Sequence, residues 1–497
     1  MQRQIRRVAL LVFLLFAALL LNLNYLQVVK ARTLAEDPRN SRGLFREYDV
    51  ERGTILVGTG QGQRPIASSQ ETDGALRFLR GYPEGSLYAP VTGFHSFIYG
   101  REGLERTFND FLVGSAPETF ARNLADLLAG RERIGDSVST TIIPAAQEAA
   151  AAALGERRGA VVALEPSTGA ILALWSAPSY DPNGLASHDQ SVVTATWEAT
   201  EADPSRPRLN RALRETYPPG STFKLVTAAA ALQQGVGPSS AFPDPAELDV
   251  PQTSSDIGNF GGGLCNGGQP LTLQRAMEVS CNTTFAQLGL DVGTPRLVAQ
   301  AEAFGLNAAL DFQLPVVGSV IPTELDAPSL AQSAIGQRDV RVTPLQMALV
   351  SAAIGNGGVL MTPRVVHEVE DYAGRPLRAF GPEPLVLPGQ ADAQAVPAAV
   401  AGQLRDMMVG VVERGSGRRA AIDGVGVAGK TGTAEVAEGR NPTVWFVGFA
   451  PAVDPRVAVA VVVEDGGEIG TEATGGQVAA PIAQAVMAAV LATQEQD

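Results

Sequence analysis

Tyr217-Pro218-Pro219-Gly220-Ser221-Thr222-Phe223-Lys224 is a turn that hands a serine to a helix. Two prolines and a glycine cannot continue a regular element, so the chain must turn there. The residues that follow, 221–232, read STFKLVTAAAAL. They favour helix and are apolar on nearly every face, which predicts a buried helix over 221–232. Lys224 breaks the pattern. It lies three residues after Ser221, on the same face and one turn along. A lysine held in an apolar core loses hydration, so its neutral form gains population. A neutral amine beside a hydroxyl is a general base beside a nucleophile. The same eight residues also read as an N-capping serine followed by a lysine whose head reaches water. This stretch alone leaves both readings open.

Two further motifs follow in order. Ser280-Cys281-Asn282 comes after a run, 271–279, with helical character. Lys430-Thr431-Gly432-Thr433-Ala434 runs into the last pair of strand-like segments. Taken blandly, these are a helix-end turn and an exposed hairpin. Together with Ser221 and Lys224 they form the S-x-x-K, S-x-N, K-T-G set of penicillin-binding proteins and serine β-lactamases. Acyl transfer needs a nucleophile, a proton acceptor, a proton donor for the leaving amine, and donors for the oxyanion. Ser221 and Lys224 supply the first two. Ser280 can pass a proton, and Asn282 can hold Lys224 and a substrate amide. Lys430 brings positive charge toward a carboxylate, with Thr431 and Thr433 adding hydrogen bonds. Gly432 allows a substrate backbone to come close. The backbone N–H groups of Ser221 and Thr433 are the natural oxyanion donors.

The bulk of the sequence narrows the classes. It has 497 residues and a net charge of −14, with 53 Gly and 33 Pro. Such length implies two or three domains. Such acidity argues against nucleic acid as a partner. The three histidines, His95, His188 and His367, are scattered and form no metal-ligand pattern, so no metal and no cofactor are expected. Arg3, Arg6 and Arg7 precede an uninterrupted apolar run over 8–21, which continues in milder form to Val29. That reaches the roughly twenty residues a bilayer crossing needs. No small-residue cleavage site follows at once, so an uncleaved anchor is expected, with the body outside the cytoplasm.

Residues 1–30 therefore read as tail and anchor, 31–136 as a polar non-catalytic module, and 137–497 as the catalytic region. Residues 117–128 read as a short amphipathic helix. Strand-like runs at 160–164 and 170–175 flank the turn Pro166-Ser167-Thr168-Gly169. Runs at 444–449 and 457–463 form a second hairpin, and 478–491 a closing apolar helix. Hairpins at both ends with Ala-rich helices between them predict an α+β fold, one antiparallel sheet with helices packed on it. A rival reading is a P-loop ATPase, because Gly424 to Thr431 is a literal Walker A match and Glu464-Asp465 ends a hydrophobic run. A P-loop must open a helix, and here the residues after Thr431 read as extended.

The chain resembles a class B penicillin-binding protein, most of all the penicillin-binding protein A group of actinobacteria. The likeness rests on the three motifs and on the text at 159–169, 217–224, 336–346 and 445–449. It extends less specifically to Arg52-Gly53-Thr54-Ile55 and Tyr82-Pro83. The resemblance implies an N-terminal transmembrane helix, a small pedestal domain, and a transpeptidase domain built as an antiparallel sheet flanked by helices. It implies D,D-transpeptidation of peptidoglycan stem peptides ending in D-Ala-D-Ala, covalent binding of β-lactams, and a SEDS-type membrane glycosyltransferase as partner. About 105 residues between anchor and catalytic region are too few for the glycosyltransferase domain of class A relatives. A D,D-carboxypeptidase, a penicillin-sensing or penicillin-hydrolysing relative and a non-catalytic scaffold are the other readings. Cys265 and Cys281 are the only cysteines. In an exported body they read either as a disulfide across the second motif or as two buried thiols.

Overall fold

The computed structural model describes residues 2–30, 47–58, 62–435 and 441–494. Its central sheet has five antiparallel strands in the spatial order Ala428–Ala434, Thr443–Ala450, Val457–Val463, Gly159–Leu164, Ile171–Ala177. These runs are rich in Val, Ile and Ala and are buried on both faces, as continuous apolar strands require. Side-chain alternation then sorts them. Val161 and Ala163 join one apolar cluster, while Ala160, Val162 and Leu164 join the other. The helices Pro144–Leu154 and Gly475–Gln494 cover the first face, and Pro344–Gly355 packs on the opposite one. Behind Pro344–Gly355, a helical lobe contains Lys224–Leu232, Leu273–Val279, Asn282–Val292 and Ala398–Glu413. The fold is the expected α+β arrangement.

The anterior region builds a second, six-stranded sheet. Its order is Pro376–Ala379, Val366–Glu370, Ser137–Thr140, Ile55–Val57, Arg64–Glu71, Phe78–Gly81. Three of these strands lie beyond residue 136, where the sequence suggested a boundary. The anterior segment has too little apolar surface to close a core by itself. Ile55, Val57, Ile66 and Val91 accordingly join the same cluster as the catalytic lobe. Buried Glu105 ties the region together, accepting from Arg52 Nε and Arg80 Nε, each at 2.6 Å, and from the Tyr82 hydroxyl at 3.2 Å.

Among the described residues, two helices are long and apolar enough to cross a membrane. Gln2–Val28 has no buried residue, whereas Gly475–Thr493 is half buried and belongs to the catalytic core. Two expected boundaries shift. Residues 220–223 form a 3-10 turn, and the α-helix starts only at Lys224. Leu271–Thr272 pairs with Ala241–Phe242 as a strand, and the helix begins at Leu273, with the Thr272 hydroxyl accepting from the Arg275 N–H.

Candidate active site

The turn carrying Ser221 is clamped from several sides. The Tyr217 backbone pairs both ways with Val342, and its hydroxyl donates to Glu464 at 2.8 Å. Trp445 Nε1 donates to the Pro218 carbonyl at 3.0 Å. Gly220, at φ 53°, donates its N–H to the Gly336 carbonyl, and a Cβ there would come within 2.7 Å of the Thr433 carbonyl. Thr222 returns its hydroxyl to the Pro219 carbonyl at 2.7 Å, which tightens the turn into its 3-10 form. Ser221 is thereby set in the wall of a cavity of about 420 Å³, which Ser280, Asn282, Thr431 and Thr433 also line.

Two buried lysines meet behind that wall. Lys224 Nζ donates to the Ser280 carbonyl and to Asn282 Oδ1, both at 2.7 Å, and lies 3.3 Å from Ser280 Oγ. Lys430 Nζ donates to Ser280 Oγ at 2.8 Å and to the Thr431 carbonyl at 2.9 Å. Neither lysine has a carboxylate partner among the described residues. Burial, and then the nearby Lys430 charge, hold the Lys224 amine well below the usual lysine range. Burial lowers Lys430 to about 7. A neutral Lys224 has two N–H groups, which its two carbonyl acceptors satisfy, and a lone pair left over. Among the described residues no hydrogen bond joins Lys224 to Ser221. Such a contact often tightens only when substrate is bound.

Ser280 owes its position to backbone geometry. It ends the helix Leu273–Val279 in the left-handed conformation, φ 62° and ψ 43°. That conformation turns the chain so that Asn282 can open the next helix. The cap of that next helix comes from elsewhere. Asn259 Oδ1 accepts from the backbone N–H groups of Asn282 and Thr283, at 2.9 and 3.1 Å. Cys265 and Cys281 are joined by a disulfide. Asp244 holds the other side of the loop by accepting from the N–H groups of Cys265, Asn266 and Gly268. Burial pushes the Asp244 carboxyl up, but those three donors outweigh it and leave it below the usual range.

The strand Ala428–Ala434 places the third motif and disposes of the ATPase reading. It pairs residue for residue with Thr443–Ala450 and opens no helix, so its backbone cannot form a phosphate cradle. Glu464 serves the Ser221 turn instead, accepting from Arg211 Nε at 2.9 Å and meeting Arg158 at 2.6 Å. Gly432 also has a packing reason of its own. A Cβ there would lie 2.9 Å from the Pro219 carbonyl and 3.0 Å from Trp445 Cβ, so the close approach is between strand and turn. Thr431 Oγ1 shares a hydrogen bond with Ser416 at 2.6 Å, and Thr433 faces the cavity.

The motif reading missed Asn259, Ser416 and the pair Gly475-Gly476. All line the cavity, and the two glycines abut Gly432, Thr431 and Ser416 too closely for any side chain. One compositional signal was available. The sequence holds only three lysines, Lys30, Lys224 and Lys430, among 38 basic residues. Both lysines of the body stand in this site.

Known proteins share this fold. Residues 159–488 match the penicillin-binding protein transpeptidase domain, and 52–138 match the penicillin-binding protein A dimerisation domain. The chain is 46% identical to the peptidoglycan D,D-transpeptidase PbpA of Mycolicibacterium smegmatis, with 99% of each chain covered. It is 42% identical to that of Mycobacterium tuberculosis, again over 99% of each. Penicillin-binding protein A from M. tuberculosis, solved as a ceftriaxone acyl-enzyme complex, superposes with a TM-score of 0.86 at 41% identity, covering 90% of this chain and all of that one. Its imipenem acyl-enzyme complex gives 0.83 at 42% identity, with the same coverage. With two thirds of its length matched by the domain model and relatives aligned end to end, the chain belongs to the penicillin-binding protein transpeptidase family.

Proposed function

We propose that the protein is a peptidoglycan D,D-transpeptidase that works through a Ser221 acyl-enzyme and is acylated by β-lactams at the same oxygen. The observation that carries this is the Ser280 hydroxyl, 2.8 and 3.3 Å from two buried lysine amines, in the cavity that Ser221 lines. Ser221 Oγ attacks the carbonyl carbon of the penultimate D-alanine, and its proton passes to the neutral Lys224 amine. The backbone N–H groups of Ser221 and Thr433 receive the oxyanion. The C–N bond breaks, and the departing D-alanine amine takes a proton relayed through Ser280 Oγ. An acceptor amine then attacks the ester carbon and loses its proton to the same relay, and Ser221 Oγ leaves with a proton. Asn282 holds Lys224 and a substrate amide. Lys430, Thr431 and Thr433 recognise the terminal carboxylate.

In this reading Gln2–Val28 is a single membrane anchor, the body lies outside the cytoplasm, and a SEDS-type glycosyltransferase supplies the glycan strands. Treatment with labelled penicillin followed by peptide mapping tests the assignment. The label should fall on Ser221 and vanish in Ser221→Ala with the fold intact. A label on Ser280, or one surviving in the mutant, overturns it. Product analysis with an amine acceptor separates transpeptidation from carboxypeptidation.

A further inference from the structure

The helix Phe120–Leu128 is mounted inside out. The sequence predicted an amphipathic helix here, and such a helix ordinarily buries its apolar stripe. This one turns its polar side chains to the body. Arg122 Nη1 donates to Asp136 Oδ1 at 2.5 Å and stacks over the Tyr372 ring. Asn123 Nδ2 donates to the Gly114 carbonyl at 2.6 Å, and Asp126 accepts from the Tyr372 hydroxyl. The apolar stripe points outward. Phe120, Leu124, Leu127 and Leu128 are 69, 47, 73 and 82% exposed. Their spacing of i, i+4, i+7 and i+8 makes them one face. The orientation is enforced, because Asp136 is fully buried and turning the helix over would strip it of its cation.

We propose that this face docks on the lipid surface of the membrane holding the chain's own N-terminal helix. The proposal rests on the reading of Gln2–Val28 as a bilayer anchor. Two observations favour lipid. The first is position. Asp49 and Val50, where the chain enters the body from the anchor, share a cavity wall with Asn123, Asp126 and Leu127 of this helix. Sixteen residues separate Lys30 from Glu47, a tether that reaches at most about 55 Å. The helix therefore adjoins the point where the chain enters the body from the anchor, and docking is an intramolecular step. The second is size and chemistry. Four side chains on a helix about 13 Å long offer far less than the roughly 1,000 Å² a specific protein interface needs. Leucine and phenylalanine suit the boundary between headgroups and acyl chains, and the rim around them is of mixed charge, with Arg131, Arg133 and Tyr372 beside Asp126 and Glu132.

The test uses the full chain in vesicles of phosphatidylglycerol and phosphatidylethanolamine, with or without brominated acyl chains that quench tryptophan. L128W places a reporter on the face. V453W places one on an equally open hairpin of the catalytic sheet. Unchanged penicillin labelling checks that each variant is folded. Brominated lipid should at least halve the emission that L128W adds over the wild type and leave that of V453W unchanged. Equal quenching of the two overturns the docking. So does cross-linking between copies through position 128 without quenching, which makes the face a self-association surface. If alkaline carbonate washes the wild-type chain off the vesicles, the anchor reading fails and the docking falls with it. An L128W chain that stays integrated but is not quenched removes the docking alone.

Discussion

Lys224 is a lysine where an arginine would not serve. Its amine is fully buried, its carbonyl partners need only two N–H groups, and a second buried cation stands behind Ser280. Arginine keeps its proton under all protein conditions. Lys224→Arg should therefore lose acylation by penicillin as fully as Lys224→Ala, by about 10²-fold or more, the scale of a general base. Stopped-flow acylation rates check this, and a near-wild-type rate for the arginine variant would place the base elsewhere. Lys430 carries a pH signature. Burial lowers it from 10.5 to about 7. Below pH 7 both folded and unfolded chains hold the proton, so the full penalty of a buried charge is present. Between about 7 and 10.5 only the unfolded chain holds it, and stability rises with pH. Chemical denaturation should show wild type gaining on Lys430→Met across that window, and a constant gap would contradict the assignment. The S-x-x-K and K-T-G motifs made these residues legible in the sequence. Lysine usage agrees with them, since arginine supplies nearly every other cation and both lysines of the body stand in this site.

At the scale of elements, the loop from Asn259 to Asn282 acts as one bracket. Asn259 caps the helix Asn282–Val292, Asp244 grips the Cys265 turn, and the disulfide fastens that turn to Cys281, between the two second-motif side chains. The bridge closes a separation of 16 residues, worth roughly 3 kcal/mol in the loop-entropy model. Cys265→Ala should lower the melting temperature and slow acylation several-fold, and mild reductant should reproduce both in the wild type. Two thiols open to alkylation in unreduced protein would rule the bridge out. The cysteine pair was visible in the sequence, whereas the bracket was not. Asn259 and Asp244 belong to loops whose residues carry no periodic signal, and only the folded chain brings them to the second motif.

At the scale of the molecule, the anterior and catalytic parts share a sheet and a core. Strands Ser137–Thr140 and Val366–Glu370 lie between Ile55–Val57 and Pro376–Ala379, so neither part can unfold without breaking pairing in the other. Calorimetry should show the body melting in one transition. Glu105 is the sensitive point. Burial pushes its carboxyl up, but Arg80 and Arg52 pull it down to about 2. The stability it contributes is complete above about pH 4.5 and is lost as pH falls through 2. Glu105→Ala leaves buried Arg80 without an anion and Arg52 with only Glu47, at 3.7 Å, and should cost about 3–5 kcal/mol. That loss should lower the melting of the penicillin-labelled catalytic part as well. A catalytic part that melts unchanged would show the two to be independent.

The sequence alone determined the chemistry and the class of fold. Pro-Pro-Gly ahead of a helix-forming run breaks regular α or β structure, β-branched runs bounded by turn residues favour buried strands, and the three motifs in order single out Lys224 from the bland reading. The first two follow from local sterics and solvation, and the third from the order of motifs along the chain. Only the tertiary structure decided the long-range partnerships: Glu464 with Tyr217, Asn259 with Asn282, Gly432 beneath Pro219, and residues 366–379 in the anterior sheet. It also decided which way the helix Phe120–Leu128 faces. Periodicity defines a helix's apolar stripe, but a single buried carboxylate, Asp136, outweighs four leucine-sized side chains in choosing what that stripe meets.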